Sequence, residues 1–281
     1  MNKKPKIGIM QGRLSNPYGN QIQCFPMNSW KTEFKIAKKY KIKVIEWIFD
    51  INQPNPIVSK QGRFEIESLC NDNNISINSI CADYFMRKKL FSEREQEIDK
   101  NFKTLKELIL NAAELNISCI EIPLVDSSSL KTEENKDELI KNLERVLPIL
   151  EKNNIILGLE TDLDPINFKN LLEKIDHPNI MVNYDSGNSA SLGYNVKDEL
   201  IILKKWINNV HVKDRKFKDV TVPLGIGDTD FEQFFATLFE IQYTGDLIIQ
   251  GARYPENKFT PEQTCQLYQK FVKEYVNKYY I

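Results

Sequence analysis

The chain has 281 residues and a formal net charge of −1, which removes any global electrostatic case for nucleic acid or an anionic membrane surface. Hydrophobic residues at 41% and charged residues at 27% describe an ordinary soluble protein able to bury one large core. Five scattered cysteines (Cys24, Cys70, Cys81, Cys119 and Cys265) include no CxxC pair and read as reduced thiols, and no apolar run nears the roughly 20 residues of a membrane span.

The opening Met1-Asn-Lys-Lys-Pro5 leads into a strand, Lys6–Met10, with no signal-type apolar segment, so a cytoplasmic location is expected. A turn-rich loop follows from Gln11 to Pro26, long enough to read as a binding loop or lid. Trp30, Phe34 and Ala37 then repeat at helical spacing, and Lys43–Phe49 reads as a second strand. A second long loop, Asp50 to Lys60, precedes a helix over Phe64–Cys70 and a strand over Ser76–Ala82. The loop after it carries Arg87, Lys88 and Lys89, read as a solvated face. Phe102, Leu105, Leu108, Ile109, Ala112 and Leu115 form one apolar stripe and predict a helix over Asn101–Leu115. Strand four is Ser118–Pro123, and a single helix is expected through Leu139, Leu143, Val146, Leu147 and Leu150.

The second half has clearer punctuation. Asp164-Pro165 reads as an N-cap with proline in the first helical position, ahead of Phe168, Leu171, Leu172 and Ile175. Asp230 with Gln233, and Thr260 with Gln263, have capping-box spacing before the last two helices. Strands near Ile7, Val44, Ile77, Ile120, Ile156, Met181, Val210 and Ile248 alternate with helices. This rhythm predicts one (β/α)8 TIM barrel over residues 1–281, with an open doubly wound sheet as the alternative.

In such a barrel the C-terminal strand ends converge on one rim. Four consecutive strands end there in Glu160, Asp185, His211 and Gln250. Two carboxylates, an imidazole and an amide oxygen suit Mn²⁺, Mg²⁺, Fe²⁺ or Co²⁺ better than structural zinc. Any one of them alone reads as a rim polar group; four on successive strands favour one divalent ion, Mn²⁺ first. The cations Arg13, Lys213, Arg215 and Arg253, at or just past strand ends, could hold a phosphate or sugar carboxylate. Glu46 and Glu121 lie inside strands two and four, where substrate contact and structural ion pairing are equally open. Trp47, Tyr84 and Phe85 read as core, and His177 as a loop residue at the far end of the barrel.

Leu-Glu160, the Asp185-Ser-Gly-Asn188 turn, His211-Val-Lys-Asp214, the Gly225-Ile-Gly-Asp228 loop and the opening Gly8-Ile-Met-Gln-Gly-Arg13 resemble the xylose isomerase-like TIM-barrel superfamily. The resemblance implies a divalent-metal-dependent sugar or sugar-phosphate isomerase or epimerase, working through a metal-stabilised enediolate with Glu160 as the proton-transfer base. It carries Glu160, Asp185 and His211 over as metal ligands. Gln250 stands where the epimerase branch has a second catalytic glutamate, and an amide cannot act as a base. A one-base site suits aldose–ketose isomerisation better than two-base epimerisation, unless Asp162 or Asp214 supplies the missing acid. Asn188 occupies a position where relatives often place a substrate-contacting histidine; it can donate a hydrogen bond but cannot shuttle a proton. A keto-sugar dehydratase and a non-catalytic sugar-phosphate binder are the alternatives. The expected partner is a small sugar or sugar phosphate, not nucleic acid or membrane, and a homo-oligomer stays open.

Overall fold

The computed structural model describes residues 4–17, 23–52, 54–254 and 258–280. The part of the predicted first loop at 18–22 therefore lies outside the described residues. Eight parallel strands close into a barrel: β1 Lys6–Met10, β2 Val44–Ile48, β3 Ser79–Cys81, β4 Cys119–Leu124, β5 Ile156–Thr161, β6 Ile180–Asp185, β7 Ile207–Val212 and, after a small hairpin, β10 Asp246–Ile249. The hairpin pairs β8 Asp214–Arg215 with β9 Thr221–Val222 in antiparallel register. Closure is direct, because β1 pairs with both β10 and β2.

Buried Val, Ile and Leu dominate these strands, and apolar helix stripes cover them outside. In the helix Glu95–Glu114, Phe102, Leu105, Leu108, Ile109 and Ala112 are buried as the spacing requires. Each large side chain of this kind contributes roughly 1.5–3 kcal/mol by leaving water. That helix begins six residues earlier than expected, with Ile98 extending the buried stripe. The expected single helix through Leu139 and Leu150 is instead two, Glu133–Leu143 and Leu147–Asn153. Pro148 explains the break, since it has no N–H and its ring collides with the carbonyl four residues back. The proline is harmless in the first turn of the second helix, where it sits.

The caps follow the sequence closely. Asp164 accepts from the amides of Ile166 and Asn167. Thr260 and Gln263 form a full reciprocal box. Asp230 accepts from the Gln233 amide at 2.9 Å, which is one half of the predicted box. None of the five cysteines is joined in a disulfide among the described residues. No helix among the described residues is long and apolar enough to cross a membrane.

Candidate active site

Asp185 of β6 and His211 of β7 are lateral partners in the barrel ladder, and Ile248 of β10 is the partner of His211 on its other side. Side chains alternate along a strand, so Asn183 shares a face with Asp185, Asn209 with His211, and Gln250 with Ile248. An irregularity at Asn208 resets the β6–β7 pairing, so that Asn183 meets Asn209 and Asp185 meets His211. The result is a polar plug in the upper half of an otherwise apolar barrel.

Ligand-capable atoms of Glu160, Asp185 and His211 lie within 4.8 Å of one another, all buried. His211 Nδ1 is 3.4 Å from Glu160 Oε2 and 3.8 Å from Asp185 Oδ2. The other ring nitrogen, Nε2, is 2.7 Å from Glu46 Oε1 and 4.0 Å from Glu121 Oε2. Glu46, with His211 and Glu121, forms a second buried group of three beneath the first. Glu46 also accepts from Asn209 Nδ2 at 2.7 Å and from the Ser79 hydroxyl. Asn209 in turn donates to Asn183 Oδ1, and Asn183 Nδ2 donates to Glu160 Oε2 at 2.7 Å. Asn183, Asn209 and Ser79 went unremarked in the sequence. For Asn183 and Asn209 the signal was a polar residue two positions before the ligand-type residue of β6 and β7, on the same strand face; Ser79, in β3, had no such marker.

Asn188 is not in a plain turn. It lies in a short helix, Ser186–Leu192, whose N-cap Asp185 accepts from the Asn188 amide. Its Oδ1 accepts from Lys213 Nζ at 3.2 Å and Arg215 Nη1 at 3.0 Å, which turns its Nδ2 to donate to Glu160 Oε1 at 2.6 Å. Gly187 allows this helix to pack closely, because a Cβ there would stand 2.7 Å from Lys213 Cγ.

Burial works against ionising Glu160, but His211 and then Lys213 outweigh it and hold the carboxyl below its usual range. Burial raises Asp185, with Lys213 opposing. The same pairing acts on Lys213: burial would lower it, yet Asp185 and Glu160 keep it above the ordinary lysine value. Glu121 is raised well above the usual range by burial and by Glu160.

The remaining rim residues are committed to protein partners. Arg13 donates from Nε to Gly251 O and from Nη2 to Gln23 Oε1. Arg253 donates to the carbonyls of Ser15 and Gly12. Asp214 accepts four backbone amides, those of Gly225, Ile226, Gly227 and Thr229, and so acts as a loop clamp rather than an available acid. Asp162 is half-buried and accepts from Ser129 Oγ at 2.8 Å. Trp47 packs in the core against Phe25 and Trp30, and His177 meets Glu151 on the surface, 3.0 Å away.

Gln250 Nε2 donates to Gln23 Oε1 at 2.9 Å, while its Oε1 is buried with no hydrogen-bond partner among the described residues. Leaving such an acceptor unpaired costs about 1–3 kcal/mol, which a ligand would recover. The carboxylates, the imidazole and this free amide oxygen are hard or borderline donors, and they fit a divalent cation.

A closed parallel barrel gathering carboxylates and an imidazole at its C-terminal rim places the protein among (β/α)8 barrels, with a group of side chains there that could hold a cation. More narrowly, the chain belongs to the xylose isomerase-like TIM barrel family, whose profile matches residues 34–270. It is 25% identical over 264 residues to the L-ribulose-5-phosphate 3-epimerase UlaE of Salmonella paratyphi C, covering 89% of this chain and 88% of that one. It is 24% identical over 238 residues to the inosose dehydratase of Clostridium tetani, covering 72% and 77%. Among solved structures it resembles the IolI protein with a bound zinc atom, with a TM-score of 0.79, 16% identity and coverage of 98% and 99%. It also resembles the D-psicose 3-epimerase of Clostridium cellulolyticum H10 with D-tagatose, with a TM-score of 0.76, 14% identity and coverage of 96% and 99%.

Proposed function

We propose that the protein is a sugar isomerase/epimerase that uses one divalent metal ion, with Glu160, Asp185, His211 and Gln250 as its ligands. The observation that carries this reading is the convergence of Glu160, Asp185 and His211 within 4.8 Å at the barrel rim. The epimerase and dehydratase relatives support a carbohydrate substrate. Bound there, a divalent ion, Mn²⁺ by preference, supplies Lewis acidity to a carbonyl and its neighbouring hydroxyl.

Glu160 is ionised at neutral pH, so it can take the proton from the carbon beside the substrate carbonyl while the electron pair passes into the carbonyl oxygen. Asn183 and Asn188 each donate to one of its oxygens and fix the plane of the carboxylate. Gln250 cannot titrate, so Glu160 would deliver the proton on the same face to the neighbouring carbon that had been the carbonyl. The hydroxyl proton passes to the former carbonyl oxygen and its own oxygen becomes the new carbonyl, which favours aldose–ketose isomerisation. Asn188 and Arg215, which border Glu160 and Lys213, are assigned to substrate hydroxyls.

The test is metal analysis followed by transfer of solvent deuterium into ketoses by the Mn²⁺-loaded protein. Glu160→Gln should lower exchange by roughly 10²–10⁴-fold. A protein that takes up no metal, or a loaded protein that exchanges no carbon-bound proton in any ketose, would defeat the proposal.

A further inference from the structure

We infer that Gln23, in the loop after β1, is a positioning residue that fixes which end of the Gln250 amide faces the site. The inference rests on the reading of Gln250 as a metal ligand above. A carboxamide carries an acceptor at one end and a donor at the other, and a half-turn exchanges them. With Oε1 inward, Gln250 offers lone pairs to a cation; with Nε2 inward, it offers N–H groups that repel one. Its neighbours therefore decide whether this amide can be a ligand.

The decision starts at Arg13. Burial and then Arg253 lower its pKa to about 10, which leaves the guanidinium charged at neutral pH, a donor with no acceptor. Gln23 must therefore turn Oε1 to Arg13 Nη2, which lies 2.8 Å away. That sends Gln23 Nε2 to Asp83 Oδ2 at 2.8 Å and Cys81 Sγ at 3.6 Å. The second lone pair of Gln23 Oε1 accepts from Gln250 Nε2 at 2.9 Å. Flipping Gln250 would set its Oε1 against Gln23 Oε1, two acceptors with no proton between them. In the arrangement found, Gln250 Oε1 is buried and has no hydrogen-bond partner among the described residues. The main chain beside it is also held, with Gln250 N donating to Val212 O at 3.0 Å and Arg13 Nε to Gly251 O at 3.1 Å. With the backbone fixed, Gln23 sets the amide.

The experiment measures Mn²⁺ affinity by calorimetric titration of the full chain, Gln23→Leu, Gln250→Leu and the double variant. Gln23→Leu should weaken Mn²⁺ binding by about 10–100-fold. In the Gln250→Leu background its further effect should be less than about twofold, because it acts through Gln250. Gln23→Glu keeps an oxygen for both Arg13 and Gln250 and should bind Mn²⁺ at least as tightly as the wild type. Unchanged affinity in folded Gln23→Leu, or an equal loss with and without Gln250, overturns the inference. A second readout needs no metal: solvent exchange of the Gln250 side-chain NH₂, followed by NMR in the metal-free protein. Exchange should be slow in the wild type and in Gln23→Glu, and about tenfold faster in Gln23→Leu, the effect of one lost hydrogen bond. Fast exchange in the wild type, or equal exchange in Gln23→Leu, overturns the inference. The expected NMR pattern in a protein that takes up no Mn²⁺ upholds the role of Gln23 and defeats the metal reading alone.

Discussion

His211 has two ring nitrogens, and Glu46 decides which of them is left for a cation. With Nε2 held 2.7 Å from Glu46 Oε1, the ring keeps its proton there and turns Nδ1 toward Glu160 and Asp185. Burial disfavours protonating the ring, but Glu46 and Glu160 on its two sides outweigh that and raise its pKa well above the ordinary value. The two oxygens of Glu46 accept from His211 on one side and from Asn209 and Ser79 on the other. An amide can satisfy only one side. Glu46→Gln should therefore weaken Mn²⁺ binding by about 10–100-fold, measured by calorimetric titration, and cost about 1–3 kcal/mol of stability. An unchanged Mn²⁺ affinity in a folded variant would show that the orientation of His211 does not depend on Glu46.

Among the elements, the loop after β7 depends on one side chain. Asp214 Oδ2 takes the amides of Gly225, Ile226 and Gly227 at 2.8, 3.1 and 2.8 Å, and Oδ1 takes that of Thr229 at 3.1 Å. In Asp214→Asn an NH₂ group must face at least one of these N–H groups, which should cost about 1–3 kcal/mol. Hydrogen exchange at amides 225–229 should accelerate, and unchanged protection there would count against the clamp. The sequence announced this loop only as a Gly-rich motif, because nothing local shows which carboxylate its amides will find. The barrel itself was legible, since eight apolar strands and well-punctuated helices repeat at the right interval. The convergence of Glu160, Asp185 and His211 followed from their places at strand ends. Three features did not follow. Pro148 lay inside an apolar stripe that still looked continuous, so one helix was expected where there are two. The irregularity at Asn208 does not disturb the apolar alternation, yet it sets which residues meet across β6 and β7. The bonds of Arg13 to Gly251 O and of Arg253 to Ser15 O and Gly12 O arise only when the loops after β1 and β10 come together.

At the scale of the whole molecule, the polar plug continues outward past the site through Ser189 and Tyr184 to Glu199, on the helix Val196–Leu203. A cavity lined by Glu160, Asp185, Asn188 and Glu199 joins the two regions. Glu199 Oε2 accepts from the Tyr184 hydroxyl at 3.0 Å and from Ser189 Oγ. Burial pushes its carboxyl up to about 7, more than these two bonds can offset. A carboxyl whose pKa is higher folded than unfolded stabilises the fold fully at pH below its unfolded value and loses that advantage as pH rises through the folded one. For Glu199 the window runs from about 4.5 to about 7, and at 1.36 kcal/mol per unit the loss reaches about 3 kcal/mol. Glu33, also raised to about 7 by burial, titrates over the same range, so the isolated quantity is the difference between variant and wild type. Glu199→Gln keeps an acceptor for both hydroxyls and carries no charge. Its urea-unfolding stability should match the wild type near pH 4.5 and exceed it by about 3 kcal/mol near pH 8. Parallel stability curves across that range would mean that Glu199 stays ionised in the fold, and the cavity would then hold a charge rather than a neutral acid behind Glu160.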